Sequence, residues 1–200
     1  NKACYVGNIL SEKIINYSAA EKKNINKTFS ILILGGSQGA EIFGRIVPTV
    51  IKMIKDKGYE IEINQQCITS QKNSLVEFYN NNNIKNNIFD FTKNILDIIL
   101  TSDLAISRCG ASTMAELVHT LTPFIAVPYP YSMDNHQYLN AKHYENNGCC
   151  WILEQDNFSS SNLFNLVMEI MKDKRKLQNI RESMKKNDSK NVYAKIENAV

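Results

Sequence analysis

The stretch Ser30-Ile31-Leu32-Ile33-Leu34-Gly35-Gly36-Ser37-Gln38-Gly39-Ala40 decides the architecture. Its unbroken apolar run reads as a strand buried on both faces, because a half-exposed strand alternates in polarity. Two glycines follow at once. From there to about position 57 the apolar residues recur at helical spacing, with Gly58 as the stop signal. A doubly buried strand that runs through a glycine turn into a helix is the opening of a βαβ unit.

Working outward, the same alternation repeats to the end of the chain. Further strands are expected at 60–64, 88–91, 103–107, 124–127 and 149–153. Helices are expected at 74–81, 94–100, 112–120 and 135–146, and as one continuous run beyond Phe158, where Ser159 to Ser161 offer N-caps. Pro48 marks a candidate kink in the first long helix. The fold class is therefore α/β: a Rossmann-like parallel sheet of about six strands with helices on both faces. Ligands in such sheets bind beyond the carboxyl ends of the strands. The loops after Leu34, Asn64, Phe91, Ser107, Val127 and Leu153 are the ones that matter.

Composition narrows the class. Two hundred residues, 44% hydrophobic and 22% charged, suit one folded domain over 1–200 and exclude disorder as the dominant state. A formal charge of +3 is too small and too scattered for a nucleic-acid partner. No apolar run approaches the ~20 residues of a membrane span, and the N-terminus does not read as a signal peptide. The run Asn80 to Asn83 fits a compositional bias of the source genome. Five cysteines without metal-like spacing read as reduced, small apolar residues. The basic segment 172–190 is interleaved with Asp173, Glu182 and Asp188, as on a solvated helix face.

Three segments can carry chemistry. At Gly36-Ser37-Gln38-Gly39, glycines let the backbone approach a ligand, and a helix N-terminus offers amides to a phosphate. A tight turn without a ligand is the alternative reading of those residues. No Gly-Lys-Ser/Thr follows, and Ser37 spoils a dinucleotide fingerprint. The second segment, Arg108-Cys109-Gly110-Ala111-Ser112-Thr113, again runs from a strand into a helix. Arg108 could supply charge or serve the sheet edge. Glu116 could hold a ribose diol, or close a capping box with Thr113. The third runs from Pro128 through Asp134, His136 and Gln137 to Asn140. Asp134 is its N-cap candidate, and hydrogen-bonding groups crowd the helix opening.

GGSQGA, SRxGAxTxxE and PxPxxxDxHQxxNA, in that order across about residues 4 to 190, resemble the MurG family of GT-B glycosyltransferases. That family transfers N-acetylglucosamine to lipid I in bacterial cell-wall synthesis. The resemblance covers its C-terminal, donor-binding half; the acceptor-binding N-terminal half is not in this sequence. Val6-Gly7-Asn8 is similar to the end of the segment that joins the halves. By resemblance, Ser37 and Gln38 face the diphosphate, and Ala111 to Thr113 present amides to it. Glu116 holds the ribose, and Phe91-Thr92 border the uracil at a strand end. His136 and Gln137 reach the sugar, with Asp134 and Asn140 ordering their loop.

The implied reaction is inverting transfer from UDP-N-acetylglucosamine to a lipid-linked muramyl-pentapeptide. The catalytic base belongs to the other half, so His119 and His143 are expected as surface helix residues. No Asp-x-Asp occurs, so neither a metal nor a cofactor is indicated. The implied location is peripheral, on the cytoplasmic face of the bacterial inner membrane, with this domain soluble and inactive alone. Two rivals are a non-catalytic nucleotide-sugar binding subunit that pairs with a partner chain, and a nicotinamide-dependent oxidoreductase.

The sequence also departs from the family. Ile9-Leu10-Ser11 replaces Pro-Val-Arg, Gln65-Gln66-Cys67-Ile68 replaces His-Gln-Ser/Thr-Gly, and Cys109 replaces a common Ser.

Overall fold

The computed structural model describes residue 14 and residues 28–36 and 41–187. Six parallel strands form one sheet: β1 (Phe29–Leu34), β2 (Ile61–Gln66), β3 (Lys85–Phe89), β4 (Leu104–Ser107), β5 (Phe124–Ala126) and β6 (Cys150–Ile152). Their spatial order is β3-β2-β1-β4-β5-β6. The order reverses between β1 and β4, which pair in register with Leu34 opposite Ser107. That reversal is the topological switch point, where a crevice opens at the carboxyl ends.

Two cores sandwich the sheet, and the strand residues divide between them by alternation. Ile31, Ile33, Leu104, Ile106, Ile125 and Val127 face one core with α1 (Glu41–Asp56), α2 (Thr69–Asn81) and α6 (Ser160–Lys172). Leu32, Leu34, Ala105, Phe124 and Ala126 face the other. There they meet α4 (Ala111–His119), α5 (His136–Asn146) and α7 (Lys174–Asn187), with Ile99 of α3 (Ile95–Thr101). This double burial is why the strands read as continuous apolar runs.

Local differences from the sequence reading have physical causes. The strand expected at 88–91 lies at Lys85–Phe89. β3 is an edge strand whose polar residues pair outward, Lys85 Nζ at 2.6 Å from a Glu62 oxygen and Asn87 bonded to Asn64. α2 starts five residues before the expected helix, because its N-cap is Ile68 and no side chain signals the start. Pro48 does not break α1, which runs through it. The continuous helix beyond Phe158 is two helices. Ser159 caps α6 as expected, its Oγ accepting from the Asn162 amide at 3.2 Å. Asp173 then interrupts the chain in extended geometry, and its Oδ1 accepts from the Arg175 amide at 3.1 Å to open α7. α7 buries Leu177, Ile180 and Met184 and exposes Lys174, Arg175, Lys185 and Lys186, whereas Arg181 departs from the expected solvated face and is half-buried.

His119 is not a surface residue: it is buried at the end of α4, whereas His143 is exposed. Cys67, Cys109, Cys149 and Cys150 are buried free thiols, as expected. Burial pushes the Cys109 thiol up to about 12 and that of Cys149 up to about 11, so both stay neutral. Cys4, Val6-Gly7-Asn8 and Ile9-Leu10-Ser11 lie outside the described residues.

The departure at Gln65-Gln66 separates into a core position and a cleft position. Gln65 is buried on the α2 side, where its Oε1 accepts from the Tyr79 hydroxyl at 2.7 Å. Burial drives the Tyr79 phenol well above its usual range. The Gln65 Nε2 has no hydrogen-bond partner among the described residues. Position 65 therefore removes nothing from the ligand side, which its neighbour Gln66 lines. Gln65→Leu strands the Tyr79 hydroxyl and is expected to lose about 1–3 kcal/mol in urea unfolding. Adding Tyr79→Phe is expected to restore most of that loss, because the orphaned amide has gone too. Additive losses in the double variant would contradict the pairing.

Candidate functional site

At the switch point the first turn leaves β1 through Gly36, whose φ of +78° is left-handed and suits glycine. The second leaves β4 beside it, with the Arg108 amide bonded to the Leu34 carbonyl at 3.0 Å. Between and above these turns lies a cleft of about 1080 Å³. Gly36, Phe91, Thr92, Arg108, Gly110, Ala111, Ser112, Thr113, Glu116, His136 and Gln137 all line it. Ser37, Gln38 and Gly39 lie outside the described residues.

The α4 end of the cleft is built for an anion. Gly110 is the N-cap in extended geometry, and the first amide to close a helical bond is that of Met114, to the Gly110 carbonyl. The Ser112 and Thr113 amides thus lack acceptors within the helix, and the positive end of the helix faces the cleft. Because the helix starts at Ala111, Thr113 is its third residue and cannot be the cap of a capping box. That alternative for Glu116 falls. Among the described residues no group bonds the Glu116 carboxyl, and partial burial raises its pKa above the ordinary carboxylate value. A cleft-facing carboxylate without a partner among the described residues is open to a ligand's donors.

Arg108 is buried at 8% exposure. Its Nη1 donates to the carbonyls of Val127 and Pro128 at 3.1 Å each, and its Nη2 to Gln155 Oε1 at 2.5 Å. The sheet-edge role is thereby replaced by a bridge between the loops after β4, β5 and β6. No acidic side chain pairs with it among the described residues. Burial pulls its pKa below the usual guanidinium value.

The third segment braces the second. Gln137 Oε1 accepts from the amides of Cys109 at 3.1 Å and Tyr129 at 3.0 Å, and Asn140 Nδ2 donates to the Cys109 carbonyl at 3.1 Å. Asn140 thus ties α5 to the loop after β4. Asp134 does not cap α5: a 3-10 turn over Met133–Asn135 intervenes, and Asn135 is the N-cap without a side-chain bond. Asp134 and Asn135 both sit at left-handed φ, 47° and 55°. His136 Nδ1 lies 2.8 Å from the Met133 carbonyl, which can only accept, so Nδ1 carries the proton. Phe91 and Thr92 lie in the loop after β3 rather than at the strand end, and Phe91 is exposed.

Sequence reasoning missed Arg45, Gln66, Tyr129, Tyr131, Ser132 and Gln155, which also line the cleft. Gln66 and Gln155 fall at loops that the strand pattern singles out. Nothing in the pattern distinguishes Arg45, one turn into α1.

This sheet order and its switch-point cleft define one Rossmann-like half of a GT-B fold. The chain belongs to the glycosyltransferase family 28 C-terminal domain family, whose model matches residues 30–198. It is 35% identical over 190 residues to the UDP-N-acetylglucosamine--N-acetylmuramyl-(pentapeptide) pyrophosphoryl-undecaprenol N-acetylglucosamine transferase of Rickettsia bellii, covering 93% of this chain and 53% of that protein. The protein of the same name from Pelagibacter ubique is 35% identical over 178 residues, covering 88% and 50%. The crystal structure of Acinetobacter baumannii MurG shares the fold with a TM-score of 0.78 at 24% identity, covering 92% of this chain and 55% of that one. The chain spans about half the length of the relatives it matches.

Proposed function

We propose that this domain binds UDP-N-acetylglucosamine as the donor half of an inverting transferase whose acceptor is a lipid-linked muramyl-pentapeptide. The observation that carries the reading is the convergence of the Gly36 turn, the α4 amides and the open Glu116 carboxyl on one cleft. The names of the relatives support the donor and the lipid-linked acceptor. Diphosphate at the α4 amides places the ribose hydroxyls within reach of Glu116. The acceptor hydroxyl attacks the anomeric carbon, the bond to the diphosphate oxygen breaks, and UDP leaves with the electron pair. The α4 dipole and the buried Arg108 charge stabilise the negative charge that develops. The base that takes the hydroxyl proton belongs to an acceptor-binding half, so this domain alone transfers nothing.

Among the described residues no helix is long and apolar enough to cross a membrane. On this reading the working enzyme meets its lipid-linked acceptor peripherally, at the cytoplasmic face of the inner membrane. Calorimetry tests the donor claim directly. Saturable binding of UDP-N-acetylglucosamine and UDP to the folded chain is the expected result, and neither binding at millimolar concentration would overturn it.

A further inference from the structure

Four side chains stack into a column from the core to the mouth of the cleft. Phe43 of α1 is fully buried, and its ring lies 5.1 Å from the Arg108 guanidinium carbon. Tyr129 flanks the same guanidinium at 5.3 Å. Tyr131 meets Tyr129 edge-on, with centroids 5.6 Å apart and planes at 74°. Tyr131 is 80% exposed and still lines the cleft, on the wall that holds Ser132 and His136.

The backbone that presents this ring is fixed from several sides. Pro128 and Pro130 flank Tyr129 and restrict its loop. The Ser132 amide donates to the Tyr129 carbonyl at 3.2 Å, and the Asn135 amide to the Ser132 carbonyl at 3.0 Å. Gln137 holds the Tyr129 amide. An aromatic ring with a rigid backing and an open face has its ordering cost met before a ligand arrives. The core makes no use of that face.

Strand order says which part of a ligand lies there. The phosphate-suited turns follow the central strands β1 and β4, Phe91 follows β3 on one side, and Tyr131 follows β5 on the other. A nucleoside diphosphate hexose with its diphosphate at the centre extends its base one way and its hexose the other. We infer that Tyr131 is a specificity-determining residue that stacks on the apolar face of the donor hexose. The inference rests on the nucleotide-sugar reading above. A pyranose presents a face of C–H groups, which an aromatic ring removes from water while adding dispersion contacts.

The test is the ratio of affinities for UDP-N-acetylglucosamine and UDP, measured by calorimetry on the whole chain. Tyr131→Ala is expected to lower the sugar nucleotide's advantage about three- to tenfold and to leave UDP unchanged. Tyr131→Phe is expected to keep the wild-type ratio within about twofold, since the ring stays. If Tyr131→Ala weakens both ligands equally, or neither, the hexose assignment is overturned while the nucleotide-sugar reading stands. A wild-type chain that binds neither ligand overturns both.

Discussion

Glu116→Ala is expected to weaken UDP-N-acetylglucosamine binding about ten- to a hundredfold, because a ribose diol gives two hydrogen bonds to one charged acceptor. Calorimetry checks it, and an affinity unchanged in the variant would remove the ribose role from Glu116. The same carboxyl carries a stability signature of opposite sign. Its folded-state pKa is raised from 4.5 by burial, so the folded chain holds a proton that the unfolded chain has already lost. Below the unfolded value both states are protonated, and Glu116 costs nothing. As pH rises from the unfolded towards the folded value, the half-buried carboxylate accumulates its desolvation cost, and stability falls. Glu116→Gln is therefore expected to melt higher than the wild type at neutral pH, with the gain vanishing near about pH 4. A gain that persisted into acid would show that packing, not charge, is responsible. UDP-N-acetylglucosamine is a diphosphate diester without a titrating terminal phosphate. A fall in its affinity on acidification, present in the wild type and absent in Glu116→Gln, reports this carboxyl alone.

The strands and turns were legible because the physics that makes them is local. Doubly buried strands must be apolar throughout, and a left-handed turn such as Gly36 favours glycine. That is why β1, β4 and β5 fall where the apolar runs are. The edge strand β3 was displaced because its pairing is carried by Lys85 and Asn87, which read as loop. The role of a cleft residue is less local. Arg108 and Gln155 are 47 positions apart, and only the β5 and β6 crossovers bring them together. Gln137 reads as a ligand group, yet its oxygen is committed to two backbone amides, a fact that only the meeting of two loops reveals. His119 was misplaced for a similar reason. Helical spacing gives a face, and only packing from elsewhere in the chain decides whether that face is covered.

Arg108→Met is expected to destabilise the chain more than any other single change in the cleft. Its guanidinium satisfies the carbonyls of Val127 and Pro128 and the Gln155 oxygen, and a methionine leaves all three without that donor. Two of these groups are buried, so the expected loss is about 2–4 kcal/mol, roughly 4–16 °C in Tm for a domain of this size. Arg108→Lys is expected to recover less than half. An ammonium is a point charge that lacks the planar fork, and it cannot stack between Phe43 and Tyr129 as a guanidinium does. Ligand choice separates the scaffold role from the charge. A buried cation without an acidic partner among the described residues favours an anion in the cleft, so the variant is expected to lose more affinity for UDP than for uridine. Equal losses for the two would leave Arg108 as a brace alone. The charge and the brace belong together, because the bonds that hold the loops also fix where the positive charge sits beneath the switch-point turns, and a mobile cation would have to be reorganised each time the diphosphate bound.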